Sequence, residues 1–198
     1  MKRMKVNETF LTLQGEGHFT GTPAFFLRFS GCNLQCPFCD TQHKSFTEMS
    51  EEEIVREACR HEVRHIVITG GEPALQLTQS LVDKLHEAGF FIQVETNGTL
   101  PLPDGIDWVT CSPKTDLLPT SPSVGRRLRI DELKLLYHGS DTDLSIAEQI
   151  QAKEYRLQPL DTGDEVRNRL ILHDTIAYVL QHPKWSLSLQ THKMIGIK

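Results

Sequence analysis

The chain has 198 residues and a formal net charge of −5 at pH 7, with acidic and basic residues interspersed. This length suits one domain, over residues 1–198, with its own hydrophobic core. Without a basic stripe, nucleic acid is not an expected partner, and no apolar run is long enough to span a membrane. Five cysteines, an odd count, and no apolar segment after the basic residues 1–5 predict a cytoplasmic protein without a disulfide framework.

The predicted elements alternate between strand and helix. The strands are apolar runs at residues 24–29, 65–69, 90–95, 106–111, 132–136, 155–158 and 185–189. The helices are predicted at residues 50–60, 77–88 and 162–181. Ser50 with Glu53, and Thr162 with Glu165, have the spacing of a capping box, which marks the start of a helix. Such alternation indicates parallel strands covered by helices.

The pattern is too short and too irregular for a complete barrel. Few helical residues separate the strands at 90–95 and 106–111, and residues 113–123 are predicted to be a loop rich in Pro and Ser. A full eight-unit barrel takes about 250 residues. The predicted fold class is therefore α/β: a partial (incomplete) TIM-like barrel of parallel strands with some helices missing.

A cysteine motif directly follows the first predicted strand. Cys32, Cys36 and Cys39 have the spacing Cys-x3-Cys-x2-Cys. Three thiolates on a short loop can hold three irons of a [4Fe–4S] cluster, which leaves the fourth iron open to a substrate or cofactor. A structural zinc site is the weaker alternative because no second Cys/His pair follows. A disulfide is weaker still, since the spacing closes no long loop.

Polar clusters also follow the other predicted strands. They lie at residues 70–73, 95–98, 112–114 and 158–161. Because barrel enzymes carry their chemistry at the carboxyl ends of the strands, these clusters together with the cysteines predict an active site there. Each cluster also has a simpler interpretation: Gly70 and Gly71 form a turn, Glu95 and Asn97 cap one, and Lys114 is a solvated loop residue.

The remaining cysteines and the segment before the first strand add two observations. Cys59 and Cys111 are interpreted as plain buried thiols. The glycines on either side of Glu16 let the backbone approach a ligand. Arg28 lies in an apolar strand and needs a partner. Its guanidinium suits a carboxylate, which belongs either to a ligand or to an Asp or Glu of the chain itself.

These motifs resemble the radical S-adenosylmethionine (SAM) superfamily and, within it, the 7-carboxy-7-deazaguanine synthase family of queuosine and deazapurine biosynthesis. The matching segments are TLQGEG, GCNLQCPFCDT, TGGEPALQ, VETNGT, CSPK, LQPLD and SLQTHKMIGIK. The resemblance implies conversion of 6-carboxy-5,6,7,8-tetrahydropterin to 7-carboxy-7-deazaguanine with loss of ammonia, via a 5′-deoxyadenosyl radical. It also implies a [4Fe–4S] cluster, SAM as a cofactor, Mg2+, a flavodoxin- or ferredoxin-like electron donor and a homodimer.

The resemblance also implies a set of site residues, none with an assigned catalytic role. Cys32, Cys36 and Cys39 would hold the cluster, and Thr41 would bind Mg2+. The residues implied to contact the substrate are Leu13, Gln14, Gly15, Arg28, Thr96 and Lys198. Those implied to contact SAM are Pro37, Phe38, Cys39, Gly70, Gly71, Glu72, Gly98, Ser112, Pro113, Lys114, Gln158, Pro159, Leu160 and Asp161. No role is implied for residues 115–131.

The last residues carry a separate expectation. Ile195 and Ile197 alternate about Gly196, which suits an extended segment packed on the barrel, whereas a frayed tail is the simpler alternative. The resemblance implies that Lys198, with a main-chain carboxylate, reaches the amino or amide groups of the pterin.

Two other functions remain open at this stage. A glycyl-radical-enzyme activase has the same cysteine spacing but acts on a large protein, for which the TLQGEG segment and Arg28 have no evident use. A non-enzymatic iron–sulfur redox sensor or metal-binding regulator would explain the cysteines but not the polar clusters at the strand ends.

Overall fold

The computed structural model describes residues 3–39, 41, 45–114 and 129–198. Its strands are β1 (Met4–Leu13), β2 (Pro23–Phe29), β3 (Thr47–Met49), β4 (His65–Gly70), β5 (Phe91–Thr96), β6 (Trp108–Cys111), β7 (Ile130–Tyr137), β8 (Ala152–Pro159) and β9 (Ser186–Leu187). Its helices are α1 (Glu51–Ala58), α2 (Gln79–Glu87), α3 (Ile146–Gln149), α4 (Glu165–Gln181) and α5 (Thr191–Ile195), with a 3-10 turn at Pro73–Leu75. Among the described residues, no helix is long and apolar enough to cross a membrane.

The strands form one open sheet in the order β3-β1-β2-β4-β5-β6-β7-β8-β9. Every neighbouring pair from β2 to β9 is parallel, whereas β1 runs antiparallel to both β2 and β3. In the described part of the chain no helix separates β5 from β6, and only the single turn of α3 separates β7 from β8. The predicted fold class, a partial TIM-like barrel with helices missing, is confirmed.

Strands β1 and β3 were not predicted, and several strand limits differ from the prediction. Strand β1 buries only Met4 and Val6, and along the rest of its length polar residues are mixed with Phe10, Leu11 and Leu13, so no continuous apolar run marks it. Strands β7 and β8 begin at Ile130 and Ala152, earlier than predicted, because the polar residues Asp131, Lys153 and Glu154 interrupt the apolar pattern near their starts. Apolar runs therefore indicate the buried centre of a strand better than its ends.

Two of the predicted helix starts can be compared directly. At α1 the capping box is confirmed: Glu53 N donates to Ser50 Oγ at 3.2 Å, and Ser50 N donates to Glu53 Oε2 at 2.7 Å. At α4 the predicted box is wrong, because Asp164 is the cap and accepts from Arg167 N at 2.9 Å. The Thr162 hydroxyl is engaged elsewhere, since it donates to an Asn168 side-chain oxygen at 2.7 Å.

The expectation of an extended segment at residues 190–198 is also wrong. Residues 191–195 form α5, and Gly196 ends the helix in the left-handed region with φ 69°. Ile197 N then donates to His192 O at 3.0 Å, the pattern of a glycine-terminated helix. The alternation of Ile195 and Ile197 is that of a helix end, and both side chains are exposed.

The two faces of the sheet differ in polarity because successive strand residues point to opposite faces. The outer face packs under the helices in two apolar clusters, one centred on Phe25, Ile68 and Ile92 and the other on Leu133 and Leu157. The inner face carries buried polar side chains, which include Gln93, Glu132, Lys134 and Gln158. A polar concave face beneath the strand ends is the structural setting of the site.

Candidate active site

The loops after β2 and β4 are in direct contact. Glu72 N donates to Gly31 O at 2.9 Å. A Cβ atom added at Gly71 would lie 2.3 Å from Gly31 O and 2.6 Å from the Cys32 Cβ. Gly71 is thus required by the close approach of the GGEP segment to the cysteine loop, which goes beyond the role of a simple turn.

The three motif thiols lie near one another in this loop. Burial raises the pKa of Cys36, as do the neighbouring Cys32 and Cys39, while the positive charge of Lys114 opposes the shift. Of the two cysteines predicted to be buried, Cys111 is fully buried in β6, but the prediction is wrong for Cys59, which is exposed at the end of α1. Burial, with the nearby Glu72 carboxyl, raises the pKa of Cys111 to about 12, so this thiol does not supply a thiolate at neutral pH.

Glu72 was predicted to contact SAM and Thr96 the substrate, but their side chains are hydrogen-bonded to each other. The Glu72 carboxyl is completely buried and accepts from Thr96 Oγ1 at 2.7 Å, Asn97 N at 2.7 Å and Ala74 N at 3.0 Å. Burial raises its pKa despite these three donors. Thr96 Oγ1 also accepts from Gly98 N at 3.1 Å. Ligand contacts of Glu72 and Thr96 would therefore come from main-chain atoms.

The loop after β5 is tied to the cysteine loop by side-chain amides. Asn97 Nδ2 donates to Asn33 Oδ1 at 3.1 Å, and Asn33 Nδ2 donates to Thr99 Oγ1 at 2.8 Å. The predicted polar clusters after β2, β4 and β5 thus form one continuous surface.

A cavity of about 380 Å³ lies beside this surface, large enough for a small ligand. It brings together Phe38, Pro113, Lys114 and Leu160, all predicted to contact SAM. Its other lining residues were not predicted: Leu135, Leu136, His138, Thr142, Asp143, Ser145, Ile146 and Gln149. The sequence does contain a signal for these residues. A polar run begins at His138, directly after β7, just as the other polar clusters directly follow their strands.

The other residues predicted to contact SAM lie at strand ends with partners of their own. Ser112 Oγ accepts from Lys114 Nζ at 2.7 Å, and burial lowers the pKa of Lys114. Gln158 Oε1 accepts from Ser188 Oγ at 3.0 Å. Asp161 pairs with Lys193 at 2.8 Å, and this bond lowers the pKa of Asp161 to about 2. Pro37 lies in the turn of the cysteine loop, and Pro159, the last residue of β8, pairs with Tyr137.

Inside the barrel, Lys134 bridges two carboxylates. Its Nζ lies 2.5 Å from Glu16 Oε2 and 3.0 Å from Glu95 Oε2, with only 7% of the side chain exposed. Burial opposes the charge of Lys134, but attraction to both carboxylates outweighs it and raises its pKa. Burial likewise opposes the charge of Glu16, yet Lys134 and a hydrogen bond from Gln190 hold its pKa at about 2. Lys134, Glu16 and Glu95 thus form a buried ion cluster in which the positions of the charges are fixed by their mutual contacts.

The loop between β1 and β2 crosses the concave face and reaches the far edge of the sheet. Gly17 N donates to Ser188 Oγ at 3.0 Å, and His18 N donates to Glu132 Oε2 at 2.6 Å. A Cβ atom added at Gly17 would lie 2.2 Å from Glu132 Oε1, and one added at Gly15 would lie 2.1 Å from His192 Nδ1. The two glycines beside Glu16 are thus required by side chains of the chain itself.

Further along this loop, aromatic rings close the amino-terminal end of the barrel. The ring centroid of Phe19 lies 4.7, 5.4 and 5.1 Å from those of His65, Phe91 and Trp108. These three residues begin β4, β5 and β6. The interior is therefore closed at this end, and a ligand would enter from the carboxyl ends of the strands.

Arg28, predicted to bind a substrate carboxylate, lies on the inner face with an internal partner. Its Nε donates to Glu8 Oε1 at 3.1 Å, and Glu8 Oε2 accepts from Lys198 Nζ. Thr12 Oγ1 donates to Lys198 O at 2.8 Å. The ion pair within the chain, one of the two alternatives for Arg28, is therefore present, and a ligand carboxylate as a second partner remains a prediction.

The residues before β2 that were predicted to contact the substrate lie close to the Arg28–Glu8 ion pair and to the interior of the barrel. Leu13 ends β1, and Gln14 Nε2 donates to Glu95 Oε1 at 3.3 Å. Gly15 O accepts from Thr191 N at 2.9 Å, which joins the loop to α5. Thr41, the predicted Mg2+ ligand, follows the cysteine loop, and its main-chain oxygen lies 3.7 Å from Cys39 Sγ.

The charged residues of β7 in the interior were not predicted to belong to the site. Lys134 and Glu132 belong to β7, where they alternate with Leu133 and Leu135. That alternation was the available signal, because it places two charges on the face opposite the apolar core. Glu8 could not be recognised in the same way, since β1 has no regular pattern.

Comparisons with known proteins decide the family. Residues 27–115 match the family described as Radical SAM superfamily. A protein of Bacteroides thetaiotaomicron named 7-carboxy-7-deazaguanine synthase is 48% identical over 194 residues, which cover 98% of each chain. A protein of the same name from Bradyrhizobium diazoefficiens is 40% identical, with 98% of each chain covered.

The chain belongs to the 7-carboxy-7-deazaguanine synthase family. The crystal structure of QueE from Escherichia coli supports the same fold, with a TM-score of 0.73, 30% identity and coverage of 94% of this chain and 93% of that chain. As a member of this family the protein is a radical SAM enzyme, a lyase. The superfamily implies a [4Fe–4S] cluster and SAM.

The donor set of the cysteine loop fits such a cluster. Three neighbouring thiols are the soft ligands that an iron–sulfur cluster requires. In the described part of the chain, no three His, Cys, Asp or Glu side chains converge as a ready site for a single metal ion.

Proposed function

We propose that this family member converts 6-carboxy-5,6,7,8-tetrahydropterin to 7-carboxy-7-deazaguanine with loss of ammonia, by radical chemistry that begins with cleavage of SAM to a 5′-deoxyadenosyl radical. The observation that carries the proposal is the 48% identity, over 98% of both chains, to a relative named 7-carboxy-7-deazaguanine synthase. The polar, charged interior supports it, because a small anionic heterocycle needs fixed hydrogen-bond partners and a cation.

The proposed roles of the residues follow from their positions. Cys32, Cys36 and Cys39 would hold the cluster, whose open iron and reducing electron supply the radical chemistry. The proposed SAM contacts are the residues beside this loop and around the cavity: Pro37, Phe38, Cys39, Gly70, Gly71, Glu72, Gly98, Ser112, Pro113, Lys114, Gln158, Pro159, Leu160 and Asp161. The cavity lined by Phe38, Pro113 and Leu160 offers the apolar walls that a nucleoside requires.

The substrate would lie on the inner face between the crossing loop and Arg28. The proposed contacts are Leu13, Gln14, Gly15, Arg28, Thr96 and Lys198. Glu16, Glu95 and Lys134 lie beneath them as an ion cluster from which water is largely excluded. Arg28 would bind the carboxylate through the edge of its guanidinium that Glu8 leaves free.

Further parts of the proposal concern the metal ion, the electron donor, the domain organisation, the localisation and the oligomeric state. Thr41 would bind Mg2+ through its hydroxyl, since a hard cation takes oxygen ligands and shares others with its substrate. A flavodoxin- or ferredoxin-like protein would supply the electron. The chain would act as a single radical SAM domain in a cytoplasmic homodimer.

The proposal is tested with anaerobically reconstituted enzyme, dithionite, SAM and Mg2+, with and without the carboxypterin. We expect 7-carboxy-7-deazaguanine by mass spectrometry only when the carboxypterin is present, and none from a Cys36→Ala variant. Formation of 5′-deoxyadenosine without any deazaguanine would refute the substrate and favour a glycyl-radical-enzyme activase. Complete absence of SAM cleavage by a fully loaded cluster would favour a redox sensor.

A further inference from the structure

A small charged cluster lies beside the proposed substrate site. Glu8 of β1 bonds two cations at once, Arg28 Nε at 3.1 Å through Oε1 and Lys198 Nζ at 2.5 Å through Oε2. Both cations lie over the same ring: Arg28 Cζ is 6.0 Å and Lys198 Nζ is 4.9 Å from the centroid of Phe10. Phe10 is held in turn by stacking on Phe26, with 5.1 Å between the centroids. One carboxylate thus joins β2 to the residues after α5.

The contact with Glu8 determines how Arg28 faces the site. A guanidinium presents five N–H donors in one plane. Glu8 engages Nε, and the two Nη atoms make no hydrogen bond to any residue in the described ranges. The plane of the group is therefore fixed while one edge stays open to a second carboxylate.

The segment that Glu8 reaches through Lys198 is also anchored by other contacts. Thr12 Oγ1 donates to Lys198 O at 2.8 Å, Thr191 N donates to Gly15 O at 2.9 Å, and Lys193 pairs with Asp161 at 2.8 Å. A helix of five residues such as α5 is not stable alone, so these contacts hold it in place. Gly15 and Asp161 are themselves proposed contacts of substrate and SAM.

We propose that Glu8 is a positioning residue for carboxylate recognition: it fixes the guanidinium plane of Arg28 and ties that residue to residues 191–198. The inference rests on the proposed function, because it takes the carboxylate of the carboxypterin as the group that the free edge of Arg28 binds. Although burial opposes ionisation, Lys198 and Arg28 hold the pKa of Glu8 below its usual value. The two ion pairs of Glu8, which together are called the tether, therefore persist at neutral pH. Glu8 acts on substrate binding and not on the chemical step.

The first test measures binding to the reconstituted enzyme in the presence of SAM. Glu8→Gln is expected to raise the Kd and KM for carboxypterin about fivefold, the size expected for a partly exposed ion pair, and to leave kcat and the Kd for SAM unchanged. Glu48→Gln is the matched control, because Glu48 also pairs with an arginine, at 3.8 Å, but on β3. Lys198→Met is expected to raise the KM as well, and to add nothing when Glu8→Gln is already present.

The second test measures hydrogen exchange of residues 190–198 without substrate, so it does not depend on the proposed function. Exchange is expected to be faster in Glu8→Gln and Lys198→Met than in wild type and Glu48→Gln. Unchanged exchange in both variants would overturn the tether. If wild type binds carboxypterin and Glu8→Gln binds it equally well or better, the positioning role is overturned. If wild type does not bind carboxypterin, the proposed function and the carboxylate role fail together, and the exchange data still decide the tether.

Discussion

At the scale of single residues, environment separates the five cysteines more clearly than spacing does. Cys32, Cys36 and Cys39 share a partly exposed loop, where burial raises the pKa of Cys36 and the charge of Lys114 opposes that shift. Cys111 lies in the apolar core beside the Glu72 carboxyl, and both burial and that charge oppose its ionisation. A metal ligand must be a thiolate, so the core cysteine is unsuited to the cluster.

We therefore predict that Ala substitutions at Cys32, Cys36 or Cys39 remove most of the iron and the broad visible absorbance of the reconstituted protein. Cys59→Ala and Cys111→Ser are expected to leave iron content per folded protein unchanged. Iron and sulfide assays with visible spectroscopy measure this directly. Loss of the absorbance in a folded Cys59 or Cys111 variant would contradict the assignment of the cluster ligands.

The interior carboxylates give a residue-scale prediction for pH. Glu16 has a folded-state pKa of about 2 against an ordinary value of 4.5. Its contribution to stability is therefore complete above about pH 4.5 and is lost as the pH falls through the folded-state pKa. The difference corresponds to on the order of 3 kcal/mol. Urea unfolding between pH 2 and pH 7 is expected to show this loss in wild type and a flatter acid limb in Glu16→Gln.

The control for that experiment is Glu62→Gln, which changes an exposed carboxylate on the surface. This control should reproduce the wild-type pH profile. An acid limb in Glu16→Gln as steep as in wild type would mean that the carboxylate does not stabilise the fold through Lys134.

Sequence motifs predicted the strand-end clusters well but not their internal contacts. The GGEP glycines, the cysteines and the Ser112–Lys114 pair are recognisable in the sequence because each directly follows an apolar strand. Lys134 and Glu132 do not, because a charge in a strand is ordinary until its neighbours across the barrel are known. Long-range pairings such as Glu8 with Lys198 depend on the folded topology, which local pattern does not contain.

At the scale of elements, α4 shows how a helix start is chosen between competing caps. Both Thr162 and Asp164 precede the helix, but the turn at Gly163, with φ 75°, places Asp164 where its carboxylate meets Arg167 N. Spacing alone favoured Thr162 because of Glu165, and the side chain of Thr162 instead binds Asn168. A capping pattern is therefore reliable only when the preceding turn is also known.

We predict that Asp164→Ala lowers the free energy of unfolding by about 1 kcal/mol, the usual value of an N-cap. Ser145→Ala is the matched control, because Ser145 precedes α3 without making a side-chain cap bond. Chemical denaturation of both variants measures the difference. Equal stability of the two variants would show that the Asp164 cap is not used in solution.

At the scale of the whole molecule, α4 carries apolar side chains on two opposite faces. Ile171 and Thr175 pack inward, whereas Val166, Leu170 and Leu180 are 73, 63 and 78% exposed. The exposed residues recur at helical spacing and form a stripe along the outside of the helix. Contiguous exposed apolar surface often marks an interaction site, so we expect this stripe to contribute to the proposed homodimer.

The corresponding prediction is that Leu170→Lys converts the proposed homodimer to monomer in light scattering, while thermal unfolding changes little. A charge placed in an apolar interface is costly, whereas on a solvent-exposed helix face it is tolerated. Glu87→Lys, on the exposed end of α2, is the control and should remain dimeric. A dimeric Leu170→Lys variant would place the interface elsewhere.

The open sheet has a consequence for how copies of this protein avoid uncontrolled association. A closed barrel has no edges, but this sheet ends in β3 and β9, which are three and two residues long. Unpaired backbone groups on a long edge strand invite another chain to add to the sheet, and short edges are one of the ways in which proteins prevent it. Because β3 and β9 themselves present few free N–H and C=O groups, neither end strand offers a long template for another chain, although β3 covers only residues 4–6 of β1 and β9 covers only residues 156–157 of β8.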